Sequence, residues 1–470
     1  MGAEKNIVAF ELGSSAIRAV IGQKKPDGSL QLTGYAKEVA AESVRKGVVN
    51  NIDKTIAAIA SIRKHIEQKH KVFVTRIYVG VTGQSLHTVG SSVSRQQEAK
   101  MPITEELRDS IIDENRTSVY PNAEVLDVIP QEYRLGTHLT TEPVGVMSDR
   151  IEGCFKNIIA RRSLRENISQ CVAGAKLEVA DYFISPVLLA DYLLSDNEKR
   201  SGCALVDFGA ETTTVVVYEK NILRHLVVIP LGGATITNDI AQVLHIEHSE
   251  AEQLKLAHGD AAPLDAAAAD DKEIAISNDR RVKASLLHDI VAARQQEILA
   301  NVWQHLRDYA DRLISGIIFT GGASAMKGLE KAFAGHHGFD KVKTRQLPTP
   351  QEFTSSIKGD IQQMNLATLV AMLLRGDQEC TSEQPAEPDL FHESPDTAPV
   401  FTGQHSQTSN GVVREQPKPE TPADKEEEPV EEKDAEEAVE QKEKRPGFFS
   451  RMGRMGRSLG DWANRLVDPD

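Results

Sequence analysis

Two segments of this chain follow one plan. Residues 8–22 read VAFELGSSAIRAVIG and residues 204–218 read ALVDFGAETTTVVVY. In each, two apolar arms too short for helices flank a polar, glycine-containing turn, the pattern of a strand–turn–strand hairpin. A plain two-residue hairpin loop would use Asn-Gly or Asp-Gly. These turns are longer and place an acid at the end of the first arm (Glu11, Asp207), then a glycine (Gly13, Gly209) and hydroxyls (Ser14 and Ser15, Thr212 and Thr213). Such groups suit phosphate: backbone N–H groups form an anion nest, hydroxyls donate to phosphate oxygens, and the carboxylate orients waters around Mg2+. One copy is a weak signal, since motif matches often mislead. Two copies in the two halves of one chain constrain the fold far more.

The surrounding pattern is α/β, with strands and helices alternating from Lys5 to about Arg375. IDKTIAAIASIRKHIEQKH reads as an amphipathic helix, and LHDIVAARQQEILANVWQHL as a long one. Between residues 84 and 162 short polar strands and one helix, ITEELRDSIIDEN, interrupt that pattern and predict an inserted subdomain. In IIFTGGASAMKGL, Gly321 and Gly322 let backbone approach a ligand closely, although a glycine pair at a strand-to-helix turn is common without one. Glu252 and Lys255 in AEQLKLAHGDA are spaced i,i+3, which by itself describes an ordinary surface ion pair.

The two hairpins and the glycine pair, in this order, resemble the phosphate loops and nucleotide-binding turn of the actin-like ATPase superfamily. The resemblance implies a two-lobed fold of duplicated ribonuclease-H-like cores with ATP and Mg2+ between the lobes. It places Gly13, Ser14, Ser15, Asp207, Gly209, Thr212, Thr213, Gly232, Gly233, Gly321, Gly322 and Met326 around the nucleotide. Glu252 and Lys255 would contact ribose and base, and Glu11 and Asp207 would hold Mg2+ through water. More specific stretches, DVIPQEYRL followed by EPVGVMSDRIEG, YVGVTGQSLHTVGSSV, VIPLGGATITNDIA and AEQLKLAHGD, are similar to the FtsA family of bacterial division proteins. That resemblance implies a first lobe over 5–83 and 163–200, an FtsA-type insertion over 84–162 and a second lobe over 201–375. It also implies self-association into filaments, tethering of FtsZ filaments (through the FtsZ C-terminal tail) and contact with other division proteins. The site would be the cytoplasmic face of the plasma membrane, with attachment peripheral.

The formal charge of −15 is unevenly placed. Residues 376–444 carry 20 acidic against 6 basic side chains, and residues 445–470 carry 3 against 5, so residues 1–375 are nearly neutral. A basic surface of the kind nucleic-acid binders carry is not expected. The 376–444 segment has few large apolar residues and predicts a disordered acidic linker. In 445–470, Phe448, Met452, Met455, Leu459, Trp462 and Leu466 recur at spacings of 4 and 3, with Phe449 adjoining, so a helix would gather them on one face with arginines beside it. That predicts an amphipathic helix suited to an anionic membrane surface. The four cysteines are scattered without metal-ligand spacing, as reduced thiols would be. No signal peptide or membrane-spanning run is predicted.

The chain departs from the family in ways that bear on turnover. At the second phosphate loop the family pattern Asp-x-Gly-Gly-Gly-Thr-Thr-Asp becomes Asp207-Phe208-Gly209-Ala210-Glu211-Thr212-Thr213-Thr214. A Glu211 carboxylate facing a phosphate would be repelled unless a cation lay between them. Relatives carry Glu or Gln before the proline of the connecting helix, where this chain has Ser185, and NLATLVAMLL lacks the glycine usual in the last core helix. Nucleotide binding with slow or absent hydrolysis is expected. The alternatives are an actin-like adaptor of a pilus or secretion assembly and a small-molecule kinase. A kinase would need a catalytic Asp in a substrate domain and would have no use for the tail. A chaperone ATPase would need a C-terminal peptide-binding β domain.

Overall fold

A computed structural model describes residues 4–40, 42–262, 272–277, 280–335, 342–346, 353–357 and 366–383. Two sheets in it are built to one plan. In the first, Lys5–Leu12, Ala16–Lys24 and Leu30–Val39 form an antiparallel meander, with Arg76–Val81 parallel to the first strand and Glu178–Ile184 parallel beyond it. In the second, Cys203–Phe208, Thr213–Glu219 and Ile222–Ile229 form the meander, with Ile317–Thr320 and Thr344–Gln346 parallel in the corresponding places. The central strands are apolar without alternation because both faces are covered. Ile7, Val8, Ala9 and Phe10 are fully buried, as are Ala204 and Val206.

A parallel neighbour needs a crossover, and helices supply it. In the first half the crossover is the helix Ile52–His70, whose Asn51 side chain accepts the Lys54 N–H at 2.9 Å. Its Ile59, Ile62 and Ile66 form the buried stripe. In the second half Gly233–Leu244 and Ala284–Leu306 cover the sheet and bury Ile236, Ile240, Leu287, Val291 and Ile298.

The insertion has three long strands, His87–Pro102, Ala123–Leu135 and Met147–Arg161, a short edge strand, His138–Thr140, and the helix Glu105–Arg116 capped by Thr104. Its long strands run to 16, 13 and 15 residues, longer than the short strands expected from their polar composition. Ladder hydrogen bonds and a small core of Ile103, Ile111, Tyr133, Ile151 and Phe155 hold them, so one apolar face is enough. Gln131, from the quoted DVIPQEYRL, joins the insertion to the second sheet. Its amide donates to the Leu223 carbonyl at 2.9 Å and its oxygen accepts from Arg224 at 3.0 Å.

The helices Ser185–Leu193 and Ala367–Arg375 pack against each other, and the second also packs on the first sheet. Asp191 of the first helix meets Arg375 of the second at 3.8 Å, and also Lys199 at 2.8 Å and Tyr218 at 3.4 Å. Residues 366–375 therefore lie with the first sheet rather than with the second lobe, to which the 201–375 boundary assigned them.

The boundary at 376 also moves. The Tyr78 hydroxyl accepts the Asp377 and Gln378 N–H groups at 3.0 and 2.9 Å, Cys380 N–H donates to the Asn6 carbonyl, and Thr381–Glu383 pairs with Val72–Val74. Backbone hydrogen bonds, which composition does not reveal, fasten this polar stretch. The remainder of the acidic linker and the 445–470 helix, with Phe448, Phe449, Met452, Met455, Leu459, Trp462 and Leu466, lie outside the described residues. Among the described residues no helix is long and apolar enough to cross a membrane.

Candidate functional site

The two acid-bearing hairpins meet at a cleft of about 1030 Å3. The first turn contributes Glu11, Gly13, Ser14, Ser15 and Arg18 to its lining, and the second Asp207, Gly209, Ala210, Glu211, Thr212 and Thr214. Gly233, Glu252, Lys255, Gly321, Gly322 and Met326 line it as well. Of the residues proposed from sequence for the nucleotide and its metal, Thr213 and Gly232 do not line it. Thr213 is fully buried and its hydroxyl donates to the Leu231 carbonyl at 2.8 Å, because strand alternation turns it away from the cleft. Gly232 serves as a spacer. A Cβ there would stand 2.6 Å from the Ala210 carbonyl oxygen. Its absence lets the helix Gly233–Leu244 dock beneath the second turn, where Gly233 and Ala234 N–H groups donate to the Gly209 and Ala210 carbonyls at 3.0 and 2.6 Å.

The floor carries two carboxylates with one cation. Glu11 lies opposite Arg18 in the hairpin register and pairs with it at 3.5 Å. Burial holds the Glu11 carboxyl above the usual range, opposed by Arg18. Burial and the neighbouring Glu11 push Asp207 up to about 7, again opposed by Arg18. Gly321 permits this crowding: at φ 89° and ψ 164° it occupies backbone space open essentially to glycine, and a Cβ would fall 2.2 Å from Asp207 Oδ1. Arg18 was missed in the sequence, although pairing the two arms across the Gly13–Ser15 turn sets it opposite Glu11.

The donor set fits a phosphate-bearing ligand with a cation. Two partly desolvated acids exceed the positive charge beside them, a deficit that a divalent ion relieves. The Ser185 hydroxyl is buried against the cleft and has no hydrogen-bond partner among the described residues. It begins the helix Ser185–Leu193, which like Ala367–Arg375 reaches the cleft without a side-chain cap, so orphan N–H groups and positive dipole ends point there. Among the described residues no three metal-ligating side chains converge, so a cation held here would have the two carboxylates on one side and water for its remaining ligands.

Glu252 and Lys255 are more than a surface pair. Lys255 is buried, and its ammonium donates to Glu252 at 2.7 Å, Thr237 at 2.9 Å and the Gly233 carbonyl at 3.1 Å. Thr237 also donates to Glu252. Burial raises the Glu252 carboxyl, but these bonds outweigh it and hold the group below the usual range. The network ties the helix Gly233–Leu244 to the helix His248–His258, and the apolar Leu256 and Met326 line the same end of the cleft.

Glu211 does not reach into the cleft unpaired. Its carboxylate accepts the Lys46 N–H at 2.6 Å, and the Gly47 N–H beside it donates to the Ser14 hydroxyl at 2.9 Å. Lys46 and Gly47 are the left-handed turn (φ 49° and 72°) of a small hairpin, Val44–Arg45 with Val48–Val49. That turn was missed, because Lys-Gly is not one of the usual hairpin dipeptides and only Gly47, between two short apolar stretches, marks it.

Duplicated sheets, each giving an acid-bearing turn to a shared cleft, define an actin-like fold. A solved PilM–PilN type IV pilus biogenesis complex shares it, with a TM-score of 0.55 at 15% identity over 78% of this chain and 98% of that one. The chain belongs to the FtsA family: the family model for cell division protein FtsA matches residues 204–371, and that for the SHS2 domain inserted in FtsA matches 83–159. Cell division protein FtsA of Porphyromonas gingivalis is 30% identical over 67% of this chain and 67% of its own length. That of Pseudomonas aeruginosa is 28% identical over 69% and 79%.

Proposed function

We propose that this cell-division protein binds an adenine nucleotide with Mg2+ between its lobes, assembles into filaments, and tethers FtsZ filaments to the cytoplasmic membrane at the division site. The facing pair Glu11 and Asp207, set in two turns of one cleft in an FtsA-family chain, carries the nucleotide half of this reading. Gly13, Ser14, Ser15, Gly209 and Thr212 would cradle the phosphates, Glu11 and Asp207 would hold Mg2+ through water, and Gly321, Gly322 and Met326 would border the base. Lys255, already saturated with acceptors, would shape the ribose end through Glu252 rather than donate to the ligand.

Hydrolysis would be slow. Transfer of phosphate to water needs a positioned nucleophile and neutralised charge, and Ser185, Thr214 and Glu211 stand where the family carries other groups. The lobes in this reading are 5–83 with 163–200 and 366–383, and 201–346, with the insertion at 84–162 between them in sequence. The FtsZ tail would dock on the second lobe around 238–253, and the amphipathic tail would hold anionic lipid. The FtsA-type insertion favours division over a pilus adaptor.

Thermal unfolding with millimolar Mg-ADP and Mg-ATP tests the nucleotide half. A rise in the wild type that Gly322→Arg abolishes supports it, and no rise with either nucleotide refutes it. Charge reversal across 238–253 should abolish capture by an FtsZ tail peptide while leaving that thermal rise intact; retained capture would place the partner elsewhere.

A further inference from the structure

The phosphate end of the cleft contains an anion of the protein's own. Glu211 leaves the second-lobe turn and accepts the Lys46 N–H of the first half at 2.6 Å. The neighbouring Gly47 N–H is taken by Ser14 at 2.9 Å. Two adjacent amides in a left-handed turn make a nest of the kind that holds a phosphate oxygen. Here both are engaged, one of them by a carboxylate. Charged side chains lining this end are Glu11, Asp207 and Glu211 against Arg18 and Arg45. By formal count this end carries one more acid than base where a ligand's last phosphate would arrive.

We propose that Glu211 takes the place of a terminal phosphate and makes the cleft selective for a nucleoside diphosphate over a triphosphate. The inference rests on the nucleotide reading above. A diphosphate is one phosphate shorter and leaves the Glu211–Lys46 bond intact between the two halves. A triphosphate brings further negative charge toward Glu211 and competes with it for the same amides, so that bond must break or the phosphate must remain unpaired. Like charges at close range in a partly desolvated site oppose each other strongly. Holding the halves together also becomes the task of a side chain that no hydrolysis removes. The closed arrangement is then independent of whether a third phosphate is present.

The test is calorimetric titration of the full chain with ADP and with the non-hydrolysable triphosphate AMPPNP, both at the same millimolar Mg2+. The variants are Glu211→Gln and Glu211→Ala. Glutamine keeps an acceptor for Lys46 and removes the charge, whereas alanine removes both. The expected result is a wild type that binds ADP at least about tenfold more tightly than AMPPNP. Glu211→Gln should bring the two affinities within about threefold by strengthening AMPPNP, with ADP little changed. Glu211→Ala should tighten AMPPNP while weakening ADP. Thermal unfolding without nucleotide confirms that each variant is folded. Equal affinities in the wild type, or a ratio that Glu211→Gln leaves unchanged, overturns this inference and leaves the nucleotide reading standing. Failure of both ligands to bind overturns the two together.

Discussion

Asp207→Asn should make the nucleotide-free protein more stable, by an amount that depends on pH. In the fold, burial and Glu11 push the Asp207 carboxyl from its ordinary 3.8 up to about 7. Below the ordinary value the group is protonated in folded and unfolded chains alike and contributes no difference. Between about 4 and 7 the unfolded chain releases the proton while the folded chain retains it, so stability falls as pH rises. Above 7 both forms are ionised and the deficit is constant. Roughly three pH units of displacement correspond to a ceiling of about 4 kcal/mol. Water in the open cleft screens the group, so about 2 kcal/mol is the expected size. Asparagine keeps the shape without the charge. Urea unfolding of both proteins from pH 5 to pH 8 should show the advantage of the variant growing by about 1 kcal/mol or more and levelling above pH 7. The same variant should lose the thermal rise with Mg-ADP, since one of the two acids proposed to hold the metal is gone. A variant less stable than wild type at pH 8, or an advantage that does not change with pH, would refute the assignment of Asp207 as a strained acid.

Gly321→Ala should cost about 1–3 kcal/mol in urea unfolding, because alanine must adopt glycine-only backbone angles and its Cβ strikes Asp207; a change under about 0.5 kcal/mol would show that the turn relaxes freely. Tyr78→Phe leaves the Asp377 and Gln378 N–H groups without their acceptor and should cost about 1–3 kcal/mol. Faster amide exchange at 377–383 is the accompanying readout, and unchanged exchange there would refute the fastening role. Trp462→Glu should release the full chain from anionic vesicles without altering urea unfolding of the body. Deletion of 385–470, which spares the paired strand Thr381–Glu383, should do the same. Sedimentation of the deleted chain equal to that of the full chain would place the anchor in the body.

Local pattern determined much of this protein. The two hairpins, the helix Ile52–His70 and the glycine pair at 321–322 are written in apolar periodicity and turn chemistry, which act between residues a few positions apart. They predict an α/β fold with two like hairpins, and the matching strand order of the two sheets agrees with the duplication that the superfamily resemblance implies. Contacts distant in sequence were decided only by the folded chain. Glu211 reads as a carboxylate opposing a phosphate, yet its partner is an amide 165 residues away. Thr213 reads as one of four cradle hydroxyls, and strand pleating sends it into the core. Residues 376–383 read as the start of a linker, but Tyr78 and Asn6 offer the hydrogen bonds that dock them on the first sheet. Composition measures how much apolar surface a segment can bury, whereas a polar segment can be fastened by backbone groups alone. Which partners those groups find is set by how distant strands are brought together.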